Sequence, residues 1–128
     1  MEIVAVQKFI RMSPKKLRIV ADKVRKMKPQ AAVDILPFVE KSAAEPLMKV
    51  IKTAIANARV KNVSEDLLRI KEVQINEGPR LKRGRPVSRG RSHPYKRRMS
   101  HIRVVLTTKS VPKAKKVKGD KEKNGTEN

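Results

Sequence analysis

Residues Gly78 to Arg98 read GPRLKRGRPVSRGRSHPYKRR. This stretch holds nine Lys or Arg side chains, no acid, three Gly and three Pro, and only Leu81, Val87 and Tyr95 as sizeable apolar or aromatic groups. It cannot build a core. Its charge repels itself and its Gly and Pro break any continuous helix, so it requires a polyanion alongside to become ordered. The segments on either side have a different character. Leu68 to Glu77 reads as a strand whose alternation slips, with Leu68 and Ile70 in one phase and Val73 and Ile75 in the other, which calls for a β-bulge. His101 to Thr108 alternates cleanly, with Ile102, Val104 and Leu106 on one face.

Pairing these strands about a centre near Ser88 gives a hairpin whose arms, from Ile70 and Leu106 inward, reach about 60 Å at about 3.3 Å per residue. A domain of this size has a radius of gyration of about 13 Å, so the hairpin must protrude. Its distal part is either paired to the end or an extended loop.

The body is expected upstream. Residues 2 to 10 are β-branched and predict a strand. Ser13-Pro14 opens a helix as N-cap and first-turn proline, followed by Leu17, Val20, Ala21, Val24 and Met27 on one face. The other face carries Lys15, Arg18, Asp22 and Arg25, either as a solvated surface or as an RNA contact. Pro29 to Leu36 predicts a short second helix with Ala32, Val33, Ile35 and Leu36 inward, ended by Pro37. Ser42-Ala43-Ala44-Glu45 has the form of a capping box for a third helix, whose stripe is Leu47, Val50, Ile51, Ala54, Ile55 and Ala58, with Pro46 disturbing its first turn.

The expected fold class is α+β: three helices packed on a small three-stranded antiparallel sheet with a long protruding β-hairpin. One domain spans 1–108, with a body of 1–76 and 99–108 and a basic hairpin of 77–98. Residues 109–128, rich in Lys, read as a disordered tail.

The chain has 128 residues and a formal charge of +21. The excess lies in the second half: residues 1–76 carry 16 bases and 8 acids, residues 77–108 carry 10 and 1. Such a balance points to phosphate. Cys is absent, which removes thiolate chemistry and Cys-based zinc sites and fits a reducing compartment. No apolar run is long enough to span a membrane. His93 and His101 have no neighbouring carboxylate in sequence to orient them, and no phosphate-loop, dinucleotide or nucleophile-elbow motif occurs. The reading is therefore not an enzyme, with no cofactor and no metal.

The candidate RNA-binding groups follow from chemistry. Arg83, Arg85, Arg89, Arg91, Arg97 and Arg98 outnumber Lys82 and Lys96 in the hairpin, and guanidinium makes bidentate phosphate contacts and stacks on bases. Gly84 and Gly90 allow close backbone approach, Pro86 stiffens the path, and Tyr95 is the one aromatic ring placed to stack. Arg80 completes the hairpin set, and Lys15 and Arg18 belong to the basic face of the first helix. The tip comprises Gly84, Arg85, Pro86, Val87, Ser88, Arg89, Gly90 and Arg91.

Four fragments, in order and without an evident insertion from about residue 2 to 108, resemble one family. They are Arg11-x-Ser13-Pro14-x-Lys16-x-Arg18-x-Val20-Ala21-Asp22, Ala54-Ile55-Ala56-Asn57-Ala58, Glu77-Gly78-Pro79-x-Leu81-Lys82-Arg83, and Gly90-Arg91 with Arg97-Arg98-x-Ser100-His101-Ile102. The family is ribosomal protein L twenty-two of the large subunit, bacterial type. The resemblance implies a body on the subunit surface beside the mouth of the polypeptide exit tunnel, and a hairpin tip lining the tunnel wall opposite ribosomal protein L four. It implies RNA contacts at Ser13, Lys16 and Arg18 from the body, and at Lys82, Arg83, Pro86, Gly90, Arg91, Arg97 and Arg98 from the hairpin, with Ser100 and His101 of the last fragment beside them. The implied partners are large-subunit ribosomal RNA, neighbouring ribosomal proteins and the nascent polypeptide, with no membrane and no homo-oligomer. The implied place is the cytoplasmic ribosome, an organellar copy being left open. Gly84-Arg85 and Val87 depart from the family's usual residues, as does Ser92-His93-Pro94-Tyr95. The alternative is a free-standing RNA chaperone or nucleic-acid-binding protein using the same basic arm.

Overall fold

The computed structural model describes residues 1–108; the expected tail at 109–128 lies outside the described residues. The order is β1 (Glu2–Ile10), α1 (Pro14–Val24), α2 (Pro29–Ile35), α3 (Ala44–Val60), β2 (Leu68–Pro86) and β3 (Ser92–Thr108). The strands form one antiparallel sheet in the order β1-β3-β2. The α+β architecture is thus the one the sequence implies.

One face of the sheet supplies Ile3, Ala5, Val73, Ile75, Ile102, Val104 and Leu106 to a core closed by Leu17, Val20 and Val24 of α1 and by Leu47, Val50, Ile51 and Ala54 of α3. The apolar stripe expected on α3 is buried along its length. Burying each such aliphatic side chain stabilises the fold by about 1.5–3 kcal/mol before entropy is counted.

Three local details differ from expectation. Ile35 of α2 is exposed, while Ala32, Val33 and Leu36 are buried. The helix does not simply stop at Pro37 either, because a 3-10 turn over Leu36–Phe38 takes the proline at a position whose missing N–H costs nothing. At α3 the capping box does not form. The Ala44 N–H donates to the Lys41 carbonyl at 2.9 Å, so the turn runs straight into the helix. Ala43 takes the cap position with helical angles, Ser42 falls outside it, and Glu45 instead accepts from Lys49 at 2.6 Å. Ser13 does sit at the N-cap of α1, through its carbonyl rather than its hydroxyl.

Both outer edges of the sheet are held by polar side chains from the helices. On the β2 edge, Arg18 and Arg25 of α1 each donate an Nη2–H, to the carbonyls of Ile75 and Val73 respectively, both at 3.1 Å. On the β1 edge, the Asn57 amide of α3 donates to the Val4 carbonyl at 3.2 Å. Occupied edge carbonyls cannot template another strand, so these bonds protect the body against edge-to-edge association.

The expected bulge in β2 falls between Ile70 and Glu72, where the register against β3 slips by one residue. The extra residue, Lys71, reaches across the sheet to pair with Glu2 of β1. Their hydrogen bond, and then their mutual charge, holds the Glu2 carboxyl below the usual range and the Lys71 ammonium above it.

Candidate nucleic-acid interface

β2 and β3 continue past the end of β1 as a two-stranded arm. A second register slip, between Glu77 and Arg80, marks its neck. There Gly78 lies so close to β3 that an added Cβ would stand 3.1 Å from the Met99 carbonyl carbon and 3.2 Å from its Cβ, so only glycine fits without displacement. Beyond the neck the pairing is unbroken from Arg80↔Arg98 to Pro86↔Ser92, so the distal part is a hairpin rather than a loop. The two slips move its centre from the expected Ser88 to Arg89. The turn closes through Val87 N–H to the Arg91 carbonyl at 2.9 Å, with Arg89 and Gly90 both left-handed at φ of 60° and 68°. From Arg80 to Arg89 the arm extends roughly 30 Å.

Register sorts the arm's side chains onto two faces, since directly opposed residues share a face. One face carries Arg80 opposite Arg98 and Lys82 opposite Lys96, then Gly84 opposite Pro94. The other carries Leu81 opposite Arg97, Arg83 opposite Tyr95, and Arg85 opposite His93. Like charges directly opposed across two strands are destabilising, and the first face has two such pairs in succession. Residues 82–98 are exposed throughout. Among the described ion pairs the arm has one, Arg80 with Glu77 at 3.3 Å. Arg11, Arg83, Arg97 and Arg98 take part in none of those pairs.

The Arg85 guanidinium carbon lies 6.0 Å from the centre of the Tyr95 ring, at the outer limit of a cation–π contact. At the neck a cleft of about 440 Å³ is lined by Arg11, Arg83, Arg97 and Arg98, together with Tyr95, Leu81 and Met99. Arg11 enters it because β1 ends at Ile10, opposite Ser100, leaving the next residue beside the root of the arm.

The arm therefore brings together Arg80, Lys82, Arg83, Arg85, Tyr95, Lys96, Arg97 and Arg98 along its length, with Arg89, Gly90 and Arg91 at its end. Lys15 and Lys16 are exposed on α1. Ser100 is a correction: its side chain is fully buried and its hydroxyl donates to the Met12 carbonyl at 2.9 Å, so it fastens β3 to the β1–α1 link and has no surface for RNA. His101 is engaged too. Its Nδ1 accepts the Phe9 N–H at 2.9 Å and its ring meets the Phe9 ring edge-to-face at 5.0 Å. The contact supports the β1 bulge in which Phe9 holds a positive φ of 58°. Arg18 has one guanidinium nitrogen committed to the sheet edge. Sequence reasoning placed no role on the pairing of like charges, which only the register discloses, nor on Arg11 as a partner of the arm.

Fold and charge distribution define a class: a small α+β body from which an arginine-rich β-arm projects. The model of one family, ribosomal protein L22p/L17e, matches residues 5–107. The chain is 43% identical over 106 residues to the large ribosomal subunit protein uL22 of Deinococcus radiodurans, covering 82% of this chain and 79% of that one. It is 40% identical over 109 residues to the protein of that name from Myxococcus xanthus, covering 83% and 96%. The corresponding protein of Solibacter usitatus is 41% identical over 113 residues, covering 87% and 100%. The chain belongs to the ribosomal protein L22p/L17e family.

Proposed function

We propose that the chain binds ribosomal RNA through both faces of its arm and through the Lys15, Lys16 and Arg18 side of α1, and that the tip from Gly84 to Arg91 lines the polypeptide exit tunnel. As a member of its family it is a structural constituent of the large ribosomal subunit of the cytoplasmic ribosome, without a catalytic step. The observation that carries the RNA reading is the opposition of Arg80 to Arg98 and of Lys82 to Lys96. Such pairs are unfavourable in water and become favourable once phosphates lie against them, because each cation then replaces a condensed counterion. The arm is thus built to be completed by RNA, and its neutralisation of phosphate draws RNA segments together during assembly. At the tip Arg85, Arg89 and Arg91 set the potential met by a nascent chain. The protein acts as one copy beside neighbouring ribosomal proteins.

Fractionation of cells expressing a tagged copy in high-salt sucrose gradients tests the reading. Retention with the large subunit is expected. Release of the folded protein to the soluble fraction or to the nucleoid would instead favour a free-standing nucleic-acid binder.

A further inference from the structure

We infer that the cleft at the neck of the arm receives a single unpaired RNA nucleotide, its base against the Tyr95 ring and its phosphates between Arg11 and Arg97. The inference rests on the RNA-binding reading and adds a defined subsite to it. Three observations carry it. The cleft is lined by four arginines, Arg11, Arg83, Arg97 and Arg98, with no acid among its lining residues, so it selects an anion. It also contains the arm's one aromatic ring with the apolar Leu81 and Met99, which a bare phosphate would leave unsatisfied and a base would cover. Finally, its volume of about 440 Å³ lies within the range of pockets that enclose small molecules. A base stacked inside an A-form helix cannot enter a concave site, because the duplex presents phosphates and 2′-hydroxyls outward. A nucleotide in a bulge or loop can be splayed out and stacked on an aromatic side chain.

Arg85 extends the stack. Its guanidinium carbon stands 6.0 Å from the centre of the Tyr95 ring, and stacking both on guanidinium and on phenol suits any base. The site is therefore specific for an unpaired nucleotide and tolerant of its identity.

The chain contains one Tyr and no Trp, so intrinsic fluorescence reports on Tyr95 alone. The full chain would be titrated with a short perfect RNA duplex and with the same duplex carrying one unpaired adenosine. The bulged RNA is expected to bind roughly tenfold more tightly, the effect of one base–aromatic stack, and to quench the Tyr95 emission. Tyr95→Leu should abolish the preference for the bulged RNA, and Tyr95→Phe should retain it. Arg11→Ala should weaken the bulged complex more than the duplex, whereas Lys82→Ala with Lys96→Ala should weaken both alike. Equal affinity for the two RNAs without quenching would overturn the nucleotide site and leave RNA binding by the arm intact. Quenching by polyglutamate but not by RNA would overturn it in favour of a carboxylate site. Failure of the folded protein to bind either RNA would remove the RNA reading and the nucleotide site with it.

Discussion

Single residues at the neck and turn carry more of the architecture than their size suggests. Gly78 stands where the arm leaves the body, and a methyl group there meets the Met99 backbone. Gly78→Ala is expected to destabilise the protein by about 1–3 kcal/mol, as overpacking does, with the effect concentrated at the arm's root. Thermal unfolding would measure its size, and amide exchange at residues 76–82 its location. At the turn, Arg89 holds at some cost a left-handed conformation that glycine adopts freely, so Arg89→Gly should slow exchange at the Val87 and Arg91 amides rather than speed it. The Glu2–Lys71 pair gives a pH dependence with a definite sign. The Glu2 carboxyl is lowered in the folded state, so its contribution is present above the ordinary carboxylate range and disappears as pH falls through its lowered value. The Lys71 ammonium is raised, so its contribution is present below the ordinary ammonium range and is lost as pH rises through its raised value. Both groups are solvent-exposed and the effect is correspondingly small. Lys71→Met should narrow the difference in melting temperature between neutral and acidic buffer; an unchanged difference would show that the pair adds nothing.

Elements show how much of the molecule was legible before its structure. The extent of β1 follows from its β-branched composition, the start of α1 from Ser13-Pro14 and the buried stripe of α3 from its periodicity, whereas α1 ends at Val24, short of the Met27 its expected stripe included. The bulge at Lys71 was legible too: two runs of alternation out of phase need one extra residue between them. Ile35 and the cap of α3 were not legible. In a helix of seven residues the apolar face is set by where the next turn leads, and the Ser42 cap lost to a turn whose hydrogen bond spans Lys41 to Ala44. The basic composition of the arm was visible in sequence, but the facing of Arg80 by Arg98 depends on a second slip at Gly78-Pro79 that no alternation signals, since neither residue bears an informative side chain. That pairing yields a prediction at this scale. In the free protein, amide exchange should be slowest at core positions such as Val20, Val50 and Ile51 and much faster from Lys82 to Lys96, although both regions are hydrogen-bonded. RNA should slow exchange in the arm selectively. Equal protection of arm and core without RNA would contradict the mutual repulsion of the arm's faces.

Across the whole molecule the division of labour is between a body that folds by burying its own apolar surface and an arm that relies on its surroundings. Replacing Arg97 and Arg98 together by Ala should leave the melting temperature of the body nearly unchanged while lowering the log–log salt slope of RNA binding by roughly 0.7 to 0.9 for each phosphate no longer neutralised. The edge bonds from Arg18, Arg25 and Asn57 occupy carbonyls on both outer strands of that body. The central claim is that this arm reaches the nascent polypeptide while the body stays outside. The chain has no Cys, so Ser88→Cys gives a unique thiol for attaching a photoreactive maleimide at the tip, and Val60→Cys gives one on the exposed end of α3. In ribosomes stalled with a short radiolabelled nascent chain, the predicted result is a crosslink from position 88 to that chain and none from position 60. A nascent-chain crosslink from position 60, with none from position 88 in fully occupied large subunits, would contradict it.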